Sequence, residues 1–417
     1  MTTMKKEEKK KGNFPNLRFP EFQGEWEETK LGEIAEIIGG GTPSTANEKY
    51  WNGDIQWFTP SEIKSNYVSR SERTITQLGL TKSSAKLLPM GAILITTRAT
   101  IGEVAIAKEE CSTNQGFQSL VVMEGVYNIF VANWIKQNKK ELIKRAKGST
   151  FAEISKSEIE KIPILLPVTT EQNKIAKFLS LLDERISTQS KIIEQYKSLI
   201  KGINEMLFSQ KIRFKNSDGG NFPIWESKKL GEIGETFTGL SGKNKDDFGK
   251  GKPYIQYKQI FDSSTIQVSN CGLVNVLNEE VQNRVQYGDI FFTTSSETPN
   301  EIGMSSVLLN EVDEMFLNSF CFGFRPFSFK ILNPLFASYL FRGSVFRDEI
   351  VKLAQGSTRY NISKVELMKL SISIPSTKEQ IKIADFLSKI SNKIETEKQL
   401  LNKLEKQKQY LLQQMLI

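Results

Sequence analysis

Two stretches of the chain carry apolar residues at alternating steps of four and three. The first runs Ile175, Leu179, Leu182, Ile186, Gln189, Ile193, Tyr196, Ile200, Ile203, Leu207. The second runs Ile383, Leu387, Ile390, Ile394, Glu397, Leu401, Leu404, Lys408, Leu411, Met415. Such spacing over more than four heptads is the seam of a long helix that packs on another helix. Helix-start residues precede both seams: Thr169 and Thr170 before Glu171, and Ser376 and Thr377 before Glu379. Upstream of each seam the pattern is mixed. Residues 55–58 and 92–96 read as strands bounded by turn residues, and 129–146 as helical. In the second half, 254–260, 288–294 and 320–325 read as strands and 334–354 as helical.

The second half repeats the first. Trp26 and Leu31-Gly32-Glu33-Ile34 return as Trp225 and Leu230-Gly231-Glu232-Ile233, with Phe19-Pro20 and Phe222-Pro223 ahead of them. Residues 148–187 align without gaps on 356–395, and 20 of those 40 positions are identical. Both copies open on Gly-Ser-Thr (148–150 and 356–358), reach Pro167 or Pro375, and continue with Glu171-Gln172 or Glu379-Gln380. Between these anchors only fragments agree, such as Thr96-Thr97 with Thr293-Thr294 and Ile101-Gly102 with Ile302-Gly303. Like ends with unlike middles describe one scaffold carrying two different recognition surfaces. Equal seam lengths favour an antiparallel pair within the chain. Helices that fold back on their own domains, and homodimerisation, stay open as alternatives. Gln189 and Glu397 form the matched polar layer of seams that are otherwise apolar but for Lys408, and are expected to fix the register.

Composition narrows the chemistry. The 417 residues include no histidine, which removes Ser-His-Asp and Cys-His catalysis and His-ligated zinc. Cys111, Cys271 and Cys321 are too few and too scattered for a disulfide framework or a metal motif. Lys plus Arg, 56, exceeds Asp plus Glu, 48, a balance compatible with a polyanionic partner. A charged start without an apolar stretch, and no long apolar run, lead to the expectation of a cytoplasmic protein with no membrane partner.

The order Trp-x4-Leu-Gly-Glu-Ile, Gly-Ser-Thr…Ile…Pro…Glu-Gln-x-x-Ile-Ala-x-Phe-Leu, then a long helix, present twice, resembles the specificity subunit of type I restriction–modification systems. The resemblance implies an α+β fold with two mixed α/β target recognition domains. Two long antiparallel coiled-coil helices would join them in a pseudo-two-fold internal duplication. The expected boundaries are a charged tail at 1–13, recognition domains at 14–168 and 213–376, and spacer helices at 169–212 and 377–417. The family's partners would be double-stranded DNA, two modification (methyltransferase) subunits and a restriction/translocase subunit. This chain would bind no cofactor; S-adenosylmethionine would belong to the modification subunits, and ATP and Mg to the restriction subunit.

With DNA as the implied ligand, Lys and Arg for phosphates and polar side chains for base edges become the candidates. In the first domain these are Lys64, Arg70, Arg73, Lys82, Thr97 and Arg98, with Ser149 and Thr150 from the Gly-Ser-Thr loop. In the second they are Lys243, Lys245, Tyr257, Lys258, Ser295 and Arg359, with Ser357 and Thr358. Each competes with the plainer reading of a solvated side chain. Trp26 and Trp225 read as core.

Two other readings of the chain are weighed. A solo methyltransferase or nuclease would need a catalytic constellation. Asn333-Pro334-Leu335-Phe336 approximates an adenine-methyltransferase motif but lacks its second proline, and reads better as a helix cap. Gly39-Gly40-Gly41-Thr42 lacks the P-loop lysine and reads as a turn, while Asp246-Asp247 and Asp183-Glu184 read as solvated rather than metal-binding. A coiled-coil adaptor without nucleic acid would leave two large divergent domains without a purpose.

Overall fold

The computed structural model describes residues 12–98, 100–148 and 152–417. The chain divides into two compact units. One comprises residues up to 190 together with 399–417, and the other is the continuous stretch 191–398.

In the first unit a five-stranded sheet has the spatial order 35–39, 117–122, 93–96, 104–107, 67–68. It is antiparallel apart from its edge strand Tyr67–Val68. A three-stranded sheet places 51–58 between 73–75 and 111–113. The repeated Leu-Gly-Glu-Ile motif is a four-residue helix, Leu31–Ile34, whose Leu31 and Ile34 are buried. Just before it, 27–30 pairs antiparallel with 163–166, which ties the start of the domain to its exit.

The second unit repeats this plan. Strands 234–238, 321–326, 290–293 and 305–307 form one sheet, and 272–274, 248–255 and 316–317 another. Leu230–Ile233 is again a short helix, and 226–229 pairs with 371–374. One expectation fails here. Residues 254–260 do not form one strand; the strand ends at Ile255 and a helix, Tyr257–Asp262, follows. Tyr257, Ile260 and Phe261 are spaced by three and four, so the apolar run holds a helical face inside a strand-like composition. The stretch 334–354 is two helices, Pro334–Leu340 and Ser344–Val351, separated at Gly343.

The long helices are Thr169–Phe208 and Thr377–Met415. All twenty seam positions are buried or half-buried. In the first unit, Ile175 and Leu179 of the first helix share a core with Leu411, Met415 and Leu416. Asp183 pairs with Lys408. Rising numbers on one helix meet falling numbers on the other, so the segments run antiparallel. In the second unit, Leu207 and Phe208 share a core with Ile383, Ala384 and Leu387. Each unit is therefore built on the start of one long helix and the end of the other.

Candidate nucleic-acid interface

The matched Glu-Gln pairs anchor each domain to its helix. Glu171 and Glu379 are wholly buried. Arg18 donates from Nε and Nη2 to Glu171, both at 2.7 Å, and from Nη1 to Gly24 O at 2.6 Å. Arg213 does the same to Glu379, at 3.1 and 2.6 Å, and also reaches Pro223 O. These contacts raise both guanidinium pKa values, with the carboxylate hydrogen bond as the main cause. Gln172 Nε2 donates to Pro167 O and its Oε1 accepts from Tyr127 N; Gln380 makes the equivalent bonds to Pro375 O and Asn333 N. Phe19 packs edge-on against Phe178, and Phe214 against Phe386. The structural counterpart of Arg18-Phe19 is thus Arg213-Phe214. The expected pairing of Phe19 with Phe222 is displaced, because the Trp follows eleven positions after Phe214 but seven after Phe19.

Several of the candidate residues lie at the opposite kind of place, where sheet strands end in loops. In the second unit Thr293 ends a strand, and Ser295–Ser296 pairs with Tyr360–Asn361, just after the Gly-Ser-Thr turn. Gly356 takes φ +125°, a conformation open to glycine, and a Cβ there would lie 2.2 Å from Arg359 O. Tyr257 Oη donates to Ser295 O at 2.7 Å. Burial pushes its phenol up, opposed by a hydrogen bond with Thr293 and the charge of Arg359. Tyr257, Ser295 and Arg359 are therefore one neighbourhood, with Ser357 and Thr358 exposed on the adjoining turn. The helix carrying Tyr257 is held by Arg342, whose Nη2 donates to Ile260 O, Phe261 O and Ser263 O, and whose Nε donates to Ser305 O. Burial, helped by the charge of Arg347 and opposed by that of Asp262, pushes Arg342 down to about 10.

The first unit has the same end. Lys147 and Glu153 pair in a backbone bridge, and Arg98 bridges to Glu153 with an ion pair at 2.9 Å. Gly148 takes φ +119°. Ser149 and Thr150 lie outside the described residues.

The remaining candidates are dispersed. Arg70 and Lys82 are exposed in loops. Arg73 is exposed on its strand with its guanidinium 3.6 Å over the Trp51 ring. Lys64 lines a groove with Asp183, Ser187 and Lys408, beside the helices. Lys245 is exposed, and Lys258 pairs with Asp262 at 2.6 Å. Two placements correct the expectation. Thr97 is fully enclosed, its N–H bonded to Gly116 O, so its side chain is inside the fold. Lys243 keeps only 6% of its side chain exposed and turns inward to Glu280 at 2.5 Å. Threonine at a strand end and lysine in a loop look polar in sequence, yet the first closes a sheet and the second pins a neighbouring loop.

The motifs set aside as structural fit the fold. Trp26 and Trp225 are buried against Phe130 and Phe336. Asn333 Oδ1 accepts from Phe336 N at 3.0 Å and Pro334 opens the helix, an ordinary N-cap. At Gly40 a Cβ would stand 1.9 Å from Asn114 O, so that glycine serves backbone packing. Among the described residues no group of three or more His, Cys, Asp or Glu is placed to hold a metal ion. No described helix is long and apolar enough to cross a membrane.

Comparison with known proteins adds a family. The type I restriction modification DNA specificity domain matches residues 23–197 and again 224–406. The MjaIX type I restriction enzyme specificity subunit of Methanocaldococcus jannaschii is 31% identical over 303 residues, covering 68% of this chain and 69% of that protein. The MjaVIII specificity subunit of the same organism is 24% identical over 419 residues, covering 95% and 92%. Among solved structures, the S subunit of a type I restriction-modification system from M. genitalium aligns over 97% of this chain and 99% of its own, with a TM-score of 0.56 at 17% identity. A chain from a study of complex assembly and conformational transition of the type I R-M system aligns over 93% and 96%, with a TM-score of 0.59 at 17% identity. At such identity the likeness concerns the fold.

Proposed function

Since the chain belongs to the type I restriction–modification specificity family, whose role is DNA sequence recognition, we propose that its two units each read one half of a bipartite double-stranded target. The observation that carries this is the duplication itself: matched clasps on the long helices, and unlike loops at the strand ends. The helices set the unspecified gap between half-sites and dock two modification subunits, and a restriction/translocase subunit joins the complex. S-adenosylmethionine chemistry belongs to the modification subunits, ATP and Mg chemistry to the restriction subunit, and this chain supplies specificity without a catalytic site of its own. The DNA-facing set is centred on Arg98 and its neighbour Lys147 in one unit, and on Tyr257, Ser295, Ser357, Thr358 and Arg359 in the other. Arginine and lysine there meet phosphates, and hydroxyl and amide groups meet base edges.

The test exchanges residues 234–355 for the corresponding stretch of a relative with a different target, in the complex with the modification subunits. Mapping methylated adenines should show one half-site replaced and the other retained. A change in both half-sites, or in neither, would contradict the assignment of one reader to each half.

A further inference from the structure

One loop has the same backbone in both units and a different side chain. In the first, Thr97 N donates to Gly116 O at 2.7 Å, and Asn114 N to Phe58 O at 3.0 Å. Gly116 N donates to Asn114 Oδ1 at 2.8 Å. In the second, Thr294 N donates to Phe320 O at 3.1 Å, and Asn318 N to Ile255 O at 3.0 Å. Phe320 N donates to Asn318 Oδ1 at 2.8 Å. Bond for bond, Phe320 stands where the first unit has Gly116. Gly116 is enclosed, and a Cβ on it would come 2.8 Å from the Pro60 ring. Phe320 is 65% exposed.

Its setting separates it from an incidental surface aromatic. Its carbonyl also accepts from Thr294 Oγ1, and buried Cys321 follows at the start of a strand. A phenyl on so fixed a backbone has few torsions left to immobilise when it meets a ligand. The next residue on the opposing loop is Ser295, paired with Asn361, and the turn before Asn361 carries exposed Arg359, which makes no ion pair among the described residues. The surroundings thus combine a free cation, hydroxyl groups and one apolar ring, which fits a nucleic-acid surface rather than an apolar protein face.

We propose that Phe320 is a specificity-determining residue of the second recognition domain and reads a thymine by apolar contact with its C5-methyl group. This rests on the second unit reading one half-site. A phenyl ring offers no hydrogen bond, and the methyl of thymine is the apolar mark on the major-groove edge of the base pairs. Arg359, on the turn before Asn361, meets the DNA backbone. With glycine at the matching position, the first domain makes no such contact, so the requirement for thymine is confined to one half-site.

The test uses the full chain assembled with its modification subunits. Once the target is mapped from methylated adenines, each thymine of the second half-site is replaced singly by uracil, which removes only the methyl. One uracil should weaken binding of the unaltered protein by about tenfold, the scale of a lost base contact. Phe320→Ala should lose a similar factor on the natural duplex, and that uracil should cost it nothing more. A half-site without thymine, full binding by Phe320→Ala, or no effect of any uracil on the unaltered protein would overturn the proposal. The uracil series needs no variant, so a folding defect cannot imitate its result. If exchange of 234–355 still switches the half-site while these measurements are silent, Phe320 is excluded and the two-reader assignment stands. If the exchange switches nothing, that assignment fails instead.

Discussion

Arg18 and Glu171 show how a single pair can hold a domain to its helix. The carboxylate is wholly enclosed, so removing its partner leaves a buried charge rather than merely one bond fewer. Arg18→Ala should cost about 3–5 kcal/mol, as should Arg213→Ala at Glu379. Thermal unfolding of the full chain measures this; a midpoint unchanged by either substitution would assign the anchoring elsewhere. Lys136 makes a different prediction. Burial, then the charge of Lys408, pulls it from 10.5 down to about 8, although its Nζ donates to Asn66 at 2.6 Å. The unfolded chain binds the more protons between pH 8 and 10.5, so this residue makes stability rise with pH across that window. Lys136→Met should gain most on the parent protein near pH 7, and the difference should shrink as pH approaches 10.5. Chemical denaturation at several pH values reads it directly, and a difference that stays flat would exclude Lys136 as the cause. Neither residue was visible as special in the sequence. Arg18 and Lys136 sit among many cations, and only the fold decides which of them are enclosed.

At the scale of elements, the seams were legible because a heptad is a local pattern: twenty positions named from spacing are all buried or half-buried. Gln189 and Glu397 are enclosed as well, at 7% and 8% exposure, and Glu397 receives Lys393 at 2.5 Å. Polar groups in such a layer disfavour slipped registers. Register has a length equivalent. One heptad is roughly 10 Å of helix, about three base pairs at ~3.4 Å each. Adding seven residues after Gln189, with a matching heptad in the second helix, should lengthen the unspecified gap of the target and leave both half-sites unchanged. Mapping methylated adenines with this variant checks it; an unaltered gap at full activity would show that the helices are not the ruler. Strand assignments failed where periods overlap, as at Tyr257–Asp262. The Arg-Phe clasp was hidden for a related reason. Its two copies are offset by four residues, so an ungapped comparison passes over them.

For the molecule as a whole, the duplication, the two long helices and the family pattern could be read before any coordinates, since each is written in residues that recur. The reading surface could not. The proposed one draws on a strand end, a turn more than fifty residues away and a loop between them, and Arg98, Tyr257 or Ser295 become candidates only through that convergence.

The way each unit borrows a helix end has a consequence in time. Residues 191–398 form a continuous unit, whereas the first needs 399–417 as well. Trp134 Nε1 donates to Ile417 O across 283 positions of sequence, and Leu411, Met415 and Leu416 complete the core around it. A chain emerging from the ribosome therefore presents its first domain long before the piece that closes it exists. The second domain, made later, has all of its own parts sooner. Synthesis order and completion order are reversed, and the half-finished first core, with apolar surface waiting on distant sequence, is the stage at which a nascent chain is most open to proteases and chaperones.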